Sequence, residues 1–102
     1  MTEAPRYVLR LFVAGDGPRS RAAQENLHEI CERHLAGRYE IELVDILADP
    51  ERAERERVLA TPTLLVVSPH AGRRIVGDLS VTERVLVGMG LRPSVWTWRR
   101  GY

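Results

Sequence analysis

The chain alternates short apolar segments with amphipathic ones. Residues 7–14 are apolar on nearly both faces, which is typical of a parallel strand buried inside a sheet. After Pro18, apolar side chains recur at helical spacing through residues 23–35, and Gly37 is placed to end that helix. Residues 39–45 alternate apolar and polar side chains, which predicts a second strand with one wetter face. Together these segments predict a β-α-β unit with parallel strands and a right-handed crossover.

The following segment predicts a helix with little surface to bury. Asp49 and Pro50 are a helix cap followed by a proline at the first helical position. The body of this helix, residues 52–57, reads Arg-Ala-Glu-Arg-Glu-Arg and has almost no apolar stripe. Favourable charge pairs four residues apart contribute only about a few tenths of a kcal/mol each. We therefore expect this helix to be weakly held.

A hairpin and a closing helix complete the pattern. Residues 63–67 predict a third strand, residues 68–72 a turn and residues 73–77 a short fourth strand. Ser80 and Glu83 have the spacing of a capping box, which predicts the start of a third helix. Its buried side is predicted to be Val81, Val85, Leu86 and Met89, with Gly88 and Gly90 at its end. The order β-α-β-α-β-β-α predicts an α/β domain with a thioredoxin-like fold, and a proline at residue 62 fits the cis-proline position of that fold.

The turn after the first strand lacks the groups that a thioredoxin uses for catalysis. A thioredoxin carries Cys-x-x-Cys at this helix start, whereas residues 15–20 read Gly-Asp-Gly-Pro-Arg-Ser. The single cysteine, Cys31, lies in the apolar helical stripe, where a small buried hydrophobe is far commoner than a reactive thiol. The histidines at 28, 34 and 70 do not converge in sequence, so no metal site is predicted. Dithiol catalysis is excluded; no enzyme activity and no cofactor are predicted.

Composition narrows the function classes further. The 102 residues are 44% hydrophobic and 28% charged, an ordinary balance for one globular domain. The net charge of +1 gives no general attraction to polyanions, so no nucleic-acid partner is predicted. No apolar run approaches the roughly 20 residues of a membrane helix, and the amino terminus has no apolar signal core. We therefore expect a cytoplasmic protein without a membrane partner.

The two ends of the chain differ from its middle. Residues 92–102 have no clear period and contain the side chains Trp96, Trp98, Arg99, Arg100 and Tyr102. Such a tail can stack on nucleic acid, but more often it packs on its own domain or on a neighbouring subunit. We divide the chain into an amino-terminal tail, residues 1–6, a domain, residues 7–91, and this aromatic and basic tail.

The second half of the domain is poorly committed to one secondary structure. Residues 85–87 are predicted as helix, although their valines suit a strand. The second helix lacks a strong stripe, and Pro62 and Pro69 admit both peptide isomers. Such ambiguity is what a sequence with two packings of nearly equal free energy shows.

Four segments carry a resemblance to a known family. They are Leu-Phe-Val-Ala-Gly at 11–15, Val-Asp-Ile-Leu at 44–47 followed by Asp-Pro at 49–50, Leu-Ala-Thr-Pro-Thr-Leu at 59–64, and Arg-Arg-Ile-Val-Gly-Asp-Leu-Ser at 73–80, and Pro18 and Ser20 match as well. Through them, residues 7–91 resemble KaiB, a family of circadian clock proteins. The resemblance implies a protein without enzymatic activity that binds the amino-terminal ring of the hexameric ATPase KaiC and helps drive its dephosphorylation phase.

The resemblance also implies two folds and a set of site residues. In the family, a ground state that is often tetrameric rearranges the second half, whereas the thioredoxin-like state with a cis-proline binds KaiC. The implied partner-binding residues are Arg55, Glu56, Arg57, Arg73 and Arg74, and the implied fold-switch positions are Pro62, Pro69, Gly88 and Gly90. From the residues alone, Arg73 and Arg74 fit either a partner contact or a solvated edge strand that is protected by charge.

Departures from the family pattern indicate the kind of relative. Pro69 stands alone where the family has a proline run, Val66 replaces a basic residue, Gly90 replaces an acid, and the tail is basic where the family's is acidic. These differences favour a non-cyanobacterial homologue in a simpler timer or stress-response system. The predicted partners are a KaiC-type ATPase, a clock histidine kinase and further copies of this chain in a dimer or tetramer. The alternatives are a thioredoxin-like sensory module of a signalling system and a redox enzyme that uses Cys31 alone.

Overall fold

A computed structural model describes residues 6–92 and shows a four-stranded mixed sheet between helices. The elements follow the predicted order, with bounds β1 Tyr7–Val13, α1 Pro18–His34, β2 Tyr39–Asp45, α2 Pro50–Arg55, β3 Thr63–Ser68, β4 Arg74–Val76 and α3 Thr82–Met89. The predicted thioredoxin-like order β-α-β-α-β-β-α is confirmed, with β1 and β4 slightly shorter than expected. The aromatic and basic tail from residue 93 onward lies outside the described residues, and the division into tails and domain stays a prediction.

The sheet has the order β2-β1-β3-β4, with β1 and β2 parallel and the other pairs antiparallel. Leu11 of β1 lies opposite Leu43 on one side and Leu64 on the other, and Leu64 lies opposite Ile75 of β4. The apolar character of β1 follows from this central position, because its side chains are covered on both faces.

Each face of the sheet carries its own apolar core. On one face, α1 and α3 cover the inward side chains of β1 and β3 in a single cluster, which includes Leu9, Leu11, Leu27, Leu64, Val66, Leu86 and Met89. On the other face a smaller cluster forms from Phe12, Val44 and Leu65, with Ile46 and Val58 against it. The second half of the chain therefore adopts the thioredoxin-like packing in this structure, with residues 82–89 helical and the Thr61–Pro62 and Ser68–Pro69 peptide bonds cis.

The ends of α1 agree with the sequence signals. Gly17 is the amino-terminal cap, with Pro18 at the first helical position. The helix ends at His34, and Gly37 adopts the left-handed conformation (φ 76°) in the turn that leads to β2. No helix within residues 6–92 is long and apolar enough to cross a membrane.

The start of α3 differs from the prediction. Val81 is the capping residue, and no side chain caps this helix, so the capping box from Ser80 to Glu83 was wrong. The reason is a local turn, in which the Ser80 amide donates to Asp78 Oδ1 at 3.1 Å, while Glu83 pairs with Arg92 at 3.4 Å. Val81 is 51% exposed, so its predicted place on the buried side was also wrong.

The end of α3 is set by one of the two predicted glycines. Gly90 is the carboxyl-terminal cap in the left-handed conformation (φ 85°), and its amide donates to Val87 O at 3.0 Å. Gly88 lies inside the helix, so its predicted role as a terminator was wrong. A Cβ at Gly88 would lie 2.4 Å from Ile75 Cγ1, which shows that this glycine allows α3 to approach β4 closely.

Candidate partner-binding surface

Helix α2 lies on the sheet face opposite α1 and α3, and charged side chains attach it there. Arg10 of β1 and Glu42 of β2 lie opposite each other in the parallel register, with Arg10 Nε 2.7 Å from Glu42 Oε1. Arg10 also donates to Glu56 at 2.7 Å, and Arg52 donates to both Glu42 (3.0 Å) and Glu56 (3.2 Å). We call these four residues the α2 ion-pair ring. The ring gives α2 contacts with β1 and β2 that its sequence does not indicate, and the expectation that this helix is weakly held stays a prediction.

The ring perturbs the titration of its members. The hydrogen bond from Arg10, joined by one from Arg52, holds the pKa of Glu42 below its usual value against the opposing effect of burial. Glu56, one of the predicted partner-binding residues, has its carboxylate engaged by both arginines. The structure therefore places Glu56 among the groups that hold α2 on the sheet.

The carboxyl end of α2 is bound by Arg74 of β4. The Arg74 guanidinium donates to the carbonyl oxygen of Arg57 at 3.2 Å and also to that of Glu56. A cation that donates to the last carbonyl groups of a helix stabilises its end. Arg57 itself is left-handed (φ 56°), and this turns the chain away from the helix. The structure thus brings Arg74 together with the end of α2, although the two are far apart in sequence.

Arg73 lies on the other side of the same edge. Its guanidinium donates to Val87 O of α3 at 3.5 Å, while that of Arg74 reaches α2. Successive side chains alternate between the faces of a strand, so two adjacent arginines at an edge point to opposite sides. The predicted basic pair is therefore divided between the two faces.

The exposed side chains around the end of α2 form one candidate surface. Arg55, Arg57 and Arg74 are exposed, and Leu59 in the loop that follows is 97% exposed. We call these four residues the α2–β4 surface. The sequence did not single out Leu59 as a site residue. Its one signal was a leucine in a predicted loop, with no apolar neighbours at strand or helix spacing. A groove of about 700 Å³ between β4 and the start of α3 adjoins this surface at Arg74.

The predicted fold-switch positions lie at two places in the fold. Pro62 is fully buried at the start of β3, where its carbonyl accepts from the Gly77 amide at 2.9 Å. Pro69 follows β3, and the next residue, His70, lies against Gly90, where a Cβ would be 2.5 Å from His70 Cδ2. The structure therefore joins the turn at 68–72 to the end of α3, while Pro62 is hydrogen-bonded to the residue that follows β4.

The turn after β1, which carries the catalytic cysteines in thioredoxins, is held here by a hydrogen bond to the side chain of Asp45. Gly15 is left-handed (φ 72°), and its amide donates to Asp45 Oδ1 at 2.9 Å; the Leu47 amide donates to the same oxygen at 3.0 Å. These bonds hold the pKa of Asp45 below its usual value. Cys31 is fully buried in α1, and burial raises the pKa of its thiol to about 12. Within residues 6–92, no three side chains that bind metals are clustered.

Solved structures of low sequence identity share this fold. The amino-terminal domain of SasA from Synechococcus elongatus matches with a TM-score of 0.70 at 17% identity, covering 92% of each chain. Mitochondrial thioredoxin 3 from Saccharomyces cerevisiae matches with a TM-score of 0.64 at 17% identity, covering 79% of this chain and 76% of that one. At these identities the likeness shows the thioredoxin-like fold alone.

Sequence relatives are much closer. The KaiB domain model matches residues 10–91. The circadian clock oscillator protein KaiB of Prochlorococcus marinus (strain MIT 9211) is 47% identical over 91 residues, covering 89% of this chain and 80% of that protein. The circadian clock protein KaiB3 of Synechocystis sp. is 43% identical over 89 residues, covering 87% of each. The resemblance drawn from the four sequence segments is confirmed: this chain belongs to the KaiB family.

Proposed function

We propose that this chain is a non-enzymatic regulator of a circadian clock or a simpler timer, and that it binds a KaiC-type ATPase and modulates its phosphorylation cycle. The observation that carries the proposal is the family match over residues 10–91, together with relatives that are named circadian clock proteins. Family membership supports the clock regulatory role. The ATPase as partner comes from the family resemblance.

The α2–β4 surface is the proposed contact with the ATPase. Arg55 and Arg57 are exposed, and guanidinium groups bind carboxylates with two parallel hydrogen bonds; Arg74 is exposed beside them, with its guanidinium donating to the end of α2. Leu59 adds an apolar side chain that is almost fully exposed in the free chain. This combination fits a partner surface with carboxylates around an apolar depression. Since β4 is an edge strand, a partner that covers this edge also reaches Arg73 on the other face.

Regulation follows from the choice between two packings of the second half. A partner that binds only the thioredoxin-like packing shifts the population towards it in proportion to its difference in affinity for the two states. We assign Pro62, Pro69, Gly88 and Gly90 to the segments that rearrange. We assign the second packing to a self-associated dimer or tetramer that competes with ATPase binding.

The binding of a purified KaiC-type ATPase from the same genome tests the proposal. We expect the wild-type chain to bind, and the Arg55→Ala plus Arg57→Ala variant to bind at least about tenfold more weakly, as interface arginines commonly do on truncation. Arg21→Ala, an exposed arginine on α1, is the matched control and should bind as wild type. Separate Arg73→Ala and Arg74→Ala variants show whether the partner reaches both faces of the edge. Equal binding by all five proteins would remove the α2–β4 surface from the proposal.

A second candidate function is a sensory or interaction module for a histidine kinase, and the structural likeness to the SasA amino-terminal domain is what favours it. That likeness extends to the fold alone, so this function ranks below the first. Capture of a histidine kinase and no KaiC-type ATPase by the full chain would reverse the order.

A further inference from the structure

Helix α2 is too short and too polar to hold its own position. Of its six residues, all of them described, Ala53 alone is buried. A helix of this length gains too few hydrogen bonds to be stable alone, so its stability comes from contacts with the rest of the fold. The apolar cluster beneath it receives Val58 from the segment after the helix. Apart from the buried Ala53, α2 is attached to the sheet by charged side chains.

The α2 ion-pair ring is closed, and its charges alternate in sign. Arg10 and Glu42 come from the sheet, Arg52 comes from α2, and Glu56, four residues later, is the carboxyl-terminal cap of that helix. Every member contacts both members of opposite charge, at distances of 2.7 Å to 3.2 Å. Each of the four residues therefore has one partner on its own side, sheet or helix, and one partner on the other side. Two of the four ion pairs, Arg10–Glu56 and Arg52–Glu42, therefore join α2 to β1 and to β2.

The ring is also shielded from solvent more than the neighbouring ion pair of Arg6 and Glu40. The side chains of Arg10, Arg52 and Glu56 are 21% to 23% exposed, and that of Glu42 is 46% exposed. Charge pairs with less water around them interact more strongly and are screened less by salt. Arg6 and Glu40 form a comparable pair between chain segments at 3.2 Å, but both of their side chains are more than half exposed.

We propose that Arg10 and Glu42 are positioning residues for partner binding: through the ring they hold α2 on the sheet and so present the α2–β4 surface in one orientation. The inference rests on the proposed function for its partner. It assigns a role to two strand residues that are outside the predicted contact set. A neutral substitution of Glu42 removes the ion pair between α2 and β2 and leaves Glu56 as the one ring carboxylate that the two guanidinium groups share.

The test compares two neutral substitutions on β2. Glu42→Gln removes one ring carboxylate, while Glu40→Gln, two residues earlier on the same face, removes the carboxylate of the exposed pair with Arg6. Amide exchange of the wild type and both variants is followed by NMR at residues 52–58 and, for comparison, in α3. Affinity for the KaiC-type ATPase is measured on the same samples.

We expect exchange at residues 52–58 to become about tenfold faster in Glu42→Gln, because the ion pair between Arg52 and Glu42 no longer opposes the local opening of α2, and we expect exchange in α3 to stay unchanged. We expect affinity for the ATPase to fall about fivefold in Glu42→Gln and to stay at the wild-type value in Glu40→Gln. Glu42→Asp, which keeps the charge, should recover part of both losses. A purely structural role for Glu42 would instead accelerate exchange in α2 and α3 alike.

The two readouts separate this inference from the proposed function. Unchanged exchange at residues 52–58 in Glu42→Gln overturns the positioning role, whatever the ATPase does. Faster exchange with unchanged affinity also overturns it, because the partner then does not need α2 in place. If the wild-type chain binds no KaiC-type ATPase, the proposed function fails, whereas the exchange comparison still decides whether the ring holds α2.

Discussion

Substitution of Gly88 by alanine tests how closely α3 packs against β4. Gly88 lies in the last turn of α3, on the side that faces Ile75 of β4. A Cβ added there would lie 2.4 Å from Ile75 Cγ1 and 2.8 Å from Ile75 Cδ1. Its φ is not in the left-handed range, so space is what requires glycine at this position.

The two effects of Gly88→Ala oppose each other. Replacing glycine with alanine inside a helix contributes about 1 kcal/mol of stability. Inserting a methyl group into a packed contact costs about 1–3 kcal/mol, since the side chain or the helix has to move. The overlap involves two atoms of Ile75, including one bound directly to its Cβ, so we expect the cost to exceed the gain by about 1 kcal/mol. In a domain of this size that corresponds to a fall in Tm of about 4–8 °C.

Urea and thermal unfolding of four proteins measure this effect: wild type, Gly88→Ala, Ile75→Ala and the double variant. Ile75→Ala removes both overlapping atoms, so in the double variant the new methyl group occupies vacated space. We expect the double variant to be more stable than the sum of the two single changes by about 1 kcal/mol or more. A Gly88→Ala protein that is more stable than wild type, or strict additivity in the double variant, would refute the reasoning.

Three further substitutions or treatments have outcomes that the structure determines. The pKa of the Asp45 carboxyl is lowered in the folded protein, so its stabilising effect is present above the ordinary aspartate pKa and is lost as pH falls through the folded-state pKa. We therefore expect Asp45→Asn to make the urea midpoint decline less steeply in acid. Tyr7→Phe removes the donor to Met89 O (3.2 Å) at a buried position and should lower the free energy of unfolding by about 1 kcal/mol. The Cys31 thiol, with its pKa raised to about 12, should not react with a disulfide reagent at pH 8 until urea unfolds the chain; rapid reaction of the native protein would contradict its burial.

The first half of the fold was readable from sequence because its signals are local. The doubly apolar β1, the proline after Gly17 and the alternation of β2 each depend on residues close in the chain. The errors came where a distant or competing contact decides the outcome. Ser80 bonds to Asp78 and leaves α3 without a side-chain cap, and Gly88 serves a contact with Ile75 that no local pattern contains.

The candidate surface shows the same division. Because successive side chains of a strand point to opposite faces, the separation of Arg73 from Arg74 was predictable from the sequence. The α2 ion-pair ring was not readable in the same way, because it joins Arg10, Glu42 and α2 through the pairing of strands far apart in sequence. A charged helix without an apolar stripe was therefore expected to be weakly held, although two ion pairs, one from Arg10 and one from Glu42, bridge it to the sheet.

Hydrogen–deuterium exchange of the full chain, alone and with a KaiC-type ATPase from the same genome, tests the central claim most directly. The account predicts slower exchange in peptides that cover residues 52–60 and 73–77, which contain the α2–β4 surface and the edge strand. Peptides from the outer face of α1, residues 21–33, should exchange at the same rate in both samples. Protection of α1 without protection of α2, or no protection anywhere in the presence of the ATPase, would contradict the claim.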